Sequence, residues 1–289
     1  MTFLKRLCST VVLLGVLSCI IFGNKMLSQI LFLAFGAFIS FFAPYETCVM
    51  LKSGGKNVYP KTVSAFVSAV FLIVSLTNMF FIHRPEMENL IPFLETVLLF
   101  AAALPWFFLL FTAGNREKLE GILFSCGVFF LFSPAFLMIC NIYSTGISMF
   151  LFFILGTKIG DIGAYVTGTV TNKLMKGNHK MVPKISPGKS WEGAAGGMIV
   201  SILFSIVMFR IFGFQGSVLA AGIFGAVLFV FGAVGDLAES SLKRSCGVKD
   251  SGRTIPGIGG VFDLVDSLLL NALIFQAVIV SGLPVFAAN

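Results

Sequence analysis

Charge is what this chain has least of. Asp, Glu, Lys and Arg make up 11% of its 289 residues, against about a quarter in ordinary soluble domains. His and Trp occur only twice each. Apolar residues fill the gap, with 57% hydrophobic residues, 34 Phe and a mean hydropathy of +0.98. These proportions exclude a soluble globular protein. The six Cys (Cys8, Cys19, Cys48, Cys126, Cys140, Cys246) show no CxxC or other metal-ligand spacing, so they imply neither a disulfide framework nor a zinc site. Four of them lie in or at the ends of apolar runs, where a thiol behaves as a small hydrophobe. No Ser–His–Asp or Cys–His arrangement is visible, which leaves covalent nucleophilic catalysis without a candidate. There is also no internal repeat, low-complexity tract or heptad pattern.

What is present is a series of apolar runs of about 17–24 residues, long enough to cross a bilayer as helices. Backbone groups in hydrocarbon must be satisfied internally, and continuous runs rather than alternation select helices over a barrel. The fold class expected is therefore an all-α polytopic integral membrane protein. The spans fall at about 7–23, 27–43, 62–82, 90–112, 119–140, 146–166, 194–213, 217–236 and 265–283. The first has a basic start (Lys5, Arg6) but lacks a small-x-small exit, and a second span follows at once. It reads as a membrane helix rather than a cleaved signal peptide.

Nine helices place the termini on opposite sides. With the N-terminus cytoplasmic, the inside segments collect all basic residues except Lys25, Arg84 and Arg210, as the positive-inside rule requires. That distribution accounts for the net charge of +7 without a nucleic-acid partner. Outside connections (Gly23–Met26, His83–Asn89, Asn141–Thr145, Gly213–Gly216) are short, and the longest inside ones are about 157–193 and 237–264. Residues 1–289 are expected to form a single membrane domain, with 1–150 as scaffold helices and 151–289 as the working half.

Charge concentrates in one window, Gly235–Asp266, which holds Asp236, Glu239, Asp250, Asp263 and Asp266 with Lys243, Arg244, Lys249 and Arg253. Ionisable groups beside hydrocarbon-length runs are costly to keep and mark sites. Asp236, Glu239, Ser240 and Lys243 share one helix face, which suits a metal and a phosphate together or, more plainly, a local Glu239–Lys243 pair. Asp263 and Asp266 are three apart at the start of the last span. Carboxylates that close share a proton or a cation, and oxygen ligands without His or Cys favour Mg²⁺.

Upstream, Asp161 closes an apolar run, either as an interfacial helix end or as a carboxylate in need of a partner. In SPGKSWEGAAGG, residues Ser186, Gly188, Lys189 and Ser190 precede a helix start, where backbone N–H groups and the dipole attract anions. This is not a Walker A motif, because Pro183 stands where its first Gly belongs. His179 and Lys180 in the basic GNHK segment and Glu192 beside Lys189 are secondary candidates, and Trp191 fits the interfacial aromatic belt. Carboxylates for Mg²⁺, cations and Gly-rich loops are the parts that phosphoryl or nucleotidyl transfer needs.

The stretch GDLAESSLKRSCGVKDSGRTIPGIGGVFDLVDSLL resembles the C-terminal signature of the phosphatidate cytidylyltransferase (CDP-diacylglycerol synthase) family, and DIGAY, GNHK and ISPGKSWEGAAGG resemble that family's preceding blocks. The resemblance covers about 157–270. It implies transfer of CMP from CTP to phosphatidic acid, with Mg²⁺ and often K⁺, on the cytoplasmic face of the cell (inner) membrane, with a homodimer left open. It further implies that Asp263, Asp236 and Asp266 gather cations, that Ser186, Lys189, Lys243, Arg244 and Lys249 face phosphates, with Ser190 beside them, and that Asp250 orients its loop. The chain departs from the family's pattern at Ile258, usually His, and at Leu264, usually Arg. Other classes that use similar parts are a secondary transporter with a membrane-level carboxylate site, a CTP-dependent polyprenol or lipid kinase, and an inactive structural membrane protein.

Overall fold

The computed structural model describes residues 2–81, 90–214 and 216–281. Among the described residues, nine helices are long and apolar enough to cross a membrane. They are α1 (Thr2–Phe22), α2 (Lys25–Ser53), α3 (Pro60–Phe81), α4 (Leu90–Phe111), α5 (Arg116–Thr145), α6 (Ile147–Leu174), α7 (Trp191–Phe212), α8 (Val218–Ser245) and α9 (Phe262–Val280). The polytopic all-helical class is thus the one formed. His83 and Arg84 lie outside the described residues.

Four helices exceed the expected spans by about two turns or more. α2, α5, α6 and α8 run for 29, 30, 28 and 28 residues, where about 20 suffice to cross hydrocarbon. The two long polar loops are correspondingly shorter than the sequence suggests. Residues 157–174 belong to α6 and 237–245 to α8. Hydropathy marks only the apolar window of a helix, but its backbone hydrogen bonds continue into polar sequence. Between α6 and α7 the chain forms an antiparallel hairpin of β1 (Lys180–Val182) and β2 (Ser186–Ser190), with Lys180 opposite Ser190 and Val182 opposite Ser186.

The chain folds as two compact units, one of residues 1–144 with 245–265 and one of 145–244 with 266–289. The first packs around fully buried Phe71, Trp106, Phe129 and Phe132. Phe132 meets Phe262 edge-on at 5.3 Å. The second centres on Phe152, buried against Phe209, Phe224 and Phe275 at 5.6–5.9 Å. Within it Asn271, fully buried, donates to Thr157 Oγ1 (3.1 Å) and to the Leu228 carbonyl (3.0 Å). One amide therefore ties α9 to α6 and α8, as polar side chains do between helices in lipid. Outward faces such as Phe100, Phe108 and Phe111 remain apolar and exposed, as lipid contact demands.

α6 and α7 pack closely through glycines. A Cβ at Gly197 would stand 2.7 Å from the Gly160 carbonyl oxygen, a backbone atom that cannot swing aside. Gly197→Ala should therefore separate the helices and destabilise the protein by about 1–3 kcal/mol. Thermal unfolding in detergent checks this, and an unchanged midpoint would rule out the tight crossing.

Candidate active site

In the second unit, helical spacing sets four groups of α8 on one face. Ser240 Oγ donates to Asp236 Oδ1 (3.3 Å), and Lys243 Nζ pairs with Glu239 Oε2 (2.6 Å). The local Glu239–Lys243 pair is therefore real. Even so, Glu239, only 3% exposed, also belongs to a larger group. Carboxylate oxygens of Asp236, Glu239 and Asp266 all lie within 4.8 Å of one another. Each of the three has its own ammonium. Lys189 Nζ stands 2.8 Å from Asp236 Oδ2, Lys243 holds Glu239, and Lys158 Nζ stands 3.6 Å from Asp266 Oδ1. Lys158 also donates to Ser267 Oγ (2.7 Å), and Lys189 to the Ala233 carbonyl (3.4 Å). Asp161, one turn beyond Lys158 on α6, lies in the field of Lys158, Lys189, Asp236 and Asp266. Four formal negative charges thus face three positive ones.

Such a set fits a hard divalent cation. The donors are all carboxylate oxygens from two helices, with no sulfur or imidazole among them. The lysines keep the group from repelling itself and present N–H donors at the same place.

Lys189 is delivered by the hairpin. Ser190 caps α7, its hydroxyl accepting from Gly193 N (3.1 Å), and Asn178 Nδ2 donates to Ser190 Oγ (3.2 Å) and to the Gly168 carbonyl (2.7 Å). His179 closes the base, with its backbone N and ring Nδ1 at 3.1 and 2.6 Å from Glu192 Oε1. Arg244 Nε donates to the Ile185 carbonyl (3.3 Å), fixing the turn to the end of α8. Ser186, Gly188 and Lys189 therefore lie on an extended strand, not on the helix start itself, and Ser190 acts as helix cap. Glu192 and His179 serve as the hairpin's clasp. Lys180 lies exposed on β1, and Trp191 is likewise exposed.

In the first unit, Asp263 opens α9 and its Oδ2 accepts from the backbone N of Gly260 (2.9 Å) and Ser251 (3.3 Å). Lys249 and Asp250 lie exposed on the same loop. α9 thus gives Asp263 to one unit and Asp266 to the other.

Sequence reasoning missed Lys158, read only as a topology marker, and missed the N-terminal partners of the 251–262 loop. Glu46 Oε2 accepts from Phe262 N (3.1 Å) and Oε1 from Thr254 Oγ1. Arg6 and Ser9 bind the Gly257 and Pro256 carbonyls, both at 2.7 Å. The signal was available for Glu46, because it is the only acidic residue of the 29-residue α2.

The family model described as "Cytidylyltransferase family" matches residues 4–281. Among curated relatives, a phosphatidate cytidylyltransferase of Staphylococcus saprophyticus is 38% identical over 184 residues, covering 60% of this chain and 68% of that protein. One from Staphylococcus epidermidis is 33% identical over 238 residues, or 73% of this chain and 88% of the relative. One from Staphylococcus aureus reaches 40% identity over 139 residues, 46% of this chain and 52% of the relative. A match running from residue 4 in α1 to residue 281 just past α9 takes in the carboxylate–lysine group and the loop that holds Asp263, and the chain belongs to the cytidylyltransferase family.

Proposed function

We propose that this chain transfers CMP from CTP to phosphatidic acid, giving CDP-diacylglycerol and pyrophosphate for phospholipid synthesis. The carrying observation is the group of Asp236, Glu239 and Asp266, each with its own lysine, in a unit whose helices are otherwise largely apolar. An oxygen of the phosphatidate phosphate attacks the α-phosphorus of CTP, and the bond from that phosphorus to the oxygen bridging to the β-phosphate breaks. Both electrons leave with pyrophosphate. The attacking oxygen is already ionised near neutral pH, so no general base is required. That agrees with a site rich in carboxylates and ammoniums.

Asp236, Glu239 and Asp266 would hold Mg²⁺, with Asp263 as a further candidate ligand and K⁺ as a candidate second cation. Bound Mg²⁺ supplies charge neutralisation for the triphosphate and the leaving pyrophosphate. Lys189, Lys243 and Lys158 stand at ion-pair distance from those carboxylates, so phosphate oxygens entering there meet ammoniums already in place. Ser186 and Ser190 offer hydroxyls from the hairpin, Arg244 at the end of α8 and Lys249 on the following loop would face phosphates, and Asp250 would orient that loop. Asp161 adds negative charge beside the ligands.

The active face is placed on the cytoplasmic side of the cell (inner) membrane with the N-terminus cytoplasmic, a reading supported by the crowding of Lys and Arg into alternate connections. Reporter fusions after Lys61, Arg116, Lys184 and Arg253 should report cytoplasm and those after Arg84 and Asn141 the opposite side. A cytoplasmic signal at Arg84 would overturn this orientation.

Lys189→Ala removes a charge-assisted contact worth about 1.5–3 kcal/mol, so CTP use should weaken about ten- to hundredfold. Lys189→Arg should recover only part of that loss, since a planar fork replaces a compact ammonium. Normal CTP kinetics in Lys189→Ala would return this lysine to the role of a structural ion pair.

Asp236→Asn and Asp266→Asn keep shape and remove charge from the ligand group. Each should abolish CDP-diacylglycerol formation from labelled CTP and phosphatidic acid while the protein remains folded and inserted. Chelating Mg²⁺ should do the same to the unsubstituted protein, reversibly. Turnover retained in both variants would remove the carboxylate group from the reaction.

A further inference from the structure

The loop 251–262 is wrapped around a carboxylate that comes from α2. We propose that Glu46 is a positioning residue for the cytidylyl transfer, holding the loop from inside so that its amides fix Asp263. The inference rests on the reaction assigned above and extends it to the half of the chain that the sequence marks as scaffold.

An accounting of the loop's polar groups carries the proposal. Two of its donors, Phe262 N and Thr254 Oγ1, go to the two oxygens of Glu46. Two others, Ser251 N and Gly260 N, go to Asp263 Oδ2. Ile255 and Gly259 bond each other across the turn, N to O in both directions at 2.9 and 3.1 Å. The carbonyls of Pro256 and Gly257 are taken by Ser9 and Arg6 of α1. An ionised carboxylate accepts only, so it suits a point where donors converge. Glu46 is 4% exposed, which makes these bonds strong and costly to lose.

The glycines of the loop fit the same centre. A Cβ at Gly260 would run into Ser251 Oγ and stand 2.6 Å from Glu46 Oε2 and 2.7 Å from Gly252 N, and one at Gly252 would run into the Glu46 carboxylate at 2.8 Å from its Cγ and closer to its Oε1. Gly252 has no room for a side chain while Glu46 is there, and Gly260 is closed by Glu46 together with Ser251 and the Gly252 backbone. Glu46 and the two glycines therefore form one device. The loop closes on the carboxylate, and the amides of Ser251 and Gly260, thus fixed, present a two-donor seat to Asp263. Asp263 is oriented through Glu46 without Glu46 touching substrate.

Glu46→Gln keeps the volume but turns one acceptor into a donor that faces Thr254 O–H or Phe262 N–H. Thr254→Val leaves Glu46 intact and removes a single donor. In the CDP-diacylglycerol assay, Glu46→Gln should lower kcat by about ten- to hundredfold, the scale of a misplaced catalytic group, with KM for phosphatidic acid unchanged. Thr254→Val should give a smaller loss of the same kind. Amide exchange should quicken in peptides covering 251–262 while α3 and α5 keep their protection.

Wild-type kcat in Glu46→Gln would overturn the proposal. A kcat loss matched by equal loss of protection in α3 and α5 would also overturn it, since Glu46 would then support the fold at large. Should Glu46→Gln fail to fold, Thr254→Val decides alone, and wild-type kcat with wild-type exchange in 251–262 sinks the clamp. If the unsubstituted protein forms no CDP-lipid, the reaction assigned above is what fails. The exchange measurement then judges the clamp by itself, with unchanged exchange in Glu46→Gln against it.

Discussion

A carboxylate kept inside an apolar helix bundle must be met by a cation or by enough donors to replace water. This chain meets that constraint in two ways. In the unit of residues 145–244 and 266–289, ammoniums do the work, with Lys189 at Asp236, Lys243 at Glu239 and Lys158 at Asp266. In the unit of residues 1–144 and 245–265, Phe262 N and the Thr254 hydroxyl meet Glu46, and the backbone N–H groups of Ser251 and Gly260 are among the groups that meet Asp263. The difference suits different work. An ion-paired carboxylate can exchange one charged partner for another, whereas a carboxylate that accepts from backbone amides holds them in one place.

Much of the fold was legible because hydrocarbon imposes length. Among the described residues the nine apolar runs became nine helices, since a bilayer leaves the backbone no other way to satisfy itself. Helix ends were less legible, and for one physical reason. Nothing in the polar sequence after Val166 or after Asp236 halts the backbone ladder, so α6 continues to Leu174 and α8 to Ser245. The charged residues there ride on helical extensions, which is why Asp236, Glu239 and Lys243 keep a fixed spacing. The hairpin was hidden as well, because five residues of β2 containing Pro187 and Gly188 read as a turn by composition.

The site divides along similar lines. Asp236, Asp266 and Lys189 could be found because they stand out against apolar sequence at fixed helical spacing or beside a helix start. Lys158 could be seen as a basic residue, but not as the partner of an aspartate 108 positions away. Glu46 was harder. It lies 208 residues from Thr254 and 216 from Phe262, and no local pattern links an acid in α2 to a glycine-rich loop. The legible part was the part whose geometry is set within one helix. Long-range pairing left only a weaker trace, a single acid in a helix that has no other.

The same accounting bears on the two places where the chain departs from the family's pattern. Ile258 in the loop and Leu264 in the first turn of α9 stand where the resemblance implies polar side chains, yet here it is their backbones that bond. Ile258 N donates to the Ile255 carbonyl (3.2 Å) and Leu264 N to that of Val261 (3.1 Å), bonds that any non-proline residue makes. The remaining anchors, Arg6, Ser9, Thr254 and Glu46, do not involve either side chain. Both side chains are half-buried, where an apolar group costs little. The loop can therefore keep its shape and its seat for Asp263 without the histidine and arginine. What Ile258 and Leu264 lack is a polar side chain at these two positions, while Lys158, Lys189 and Lys243 keep their ion pairs with Asp266, Asp236 and Glu239.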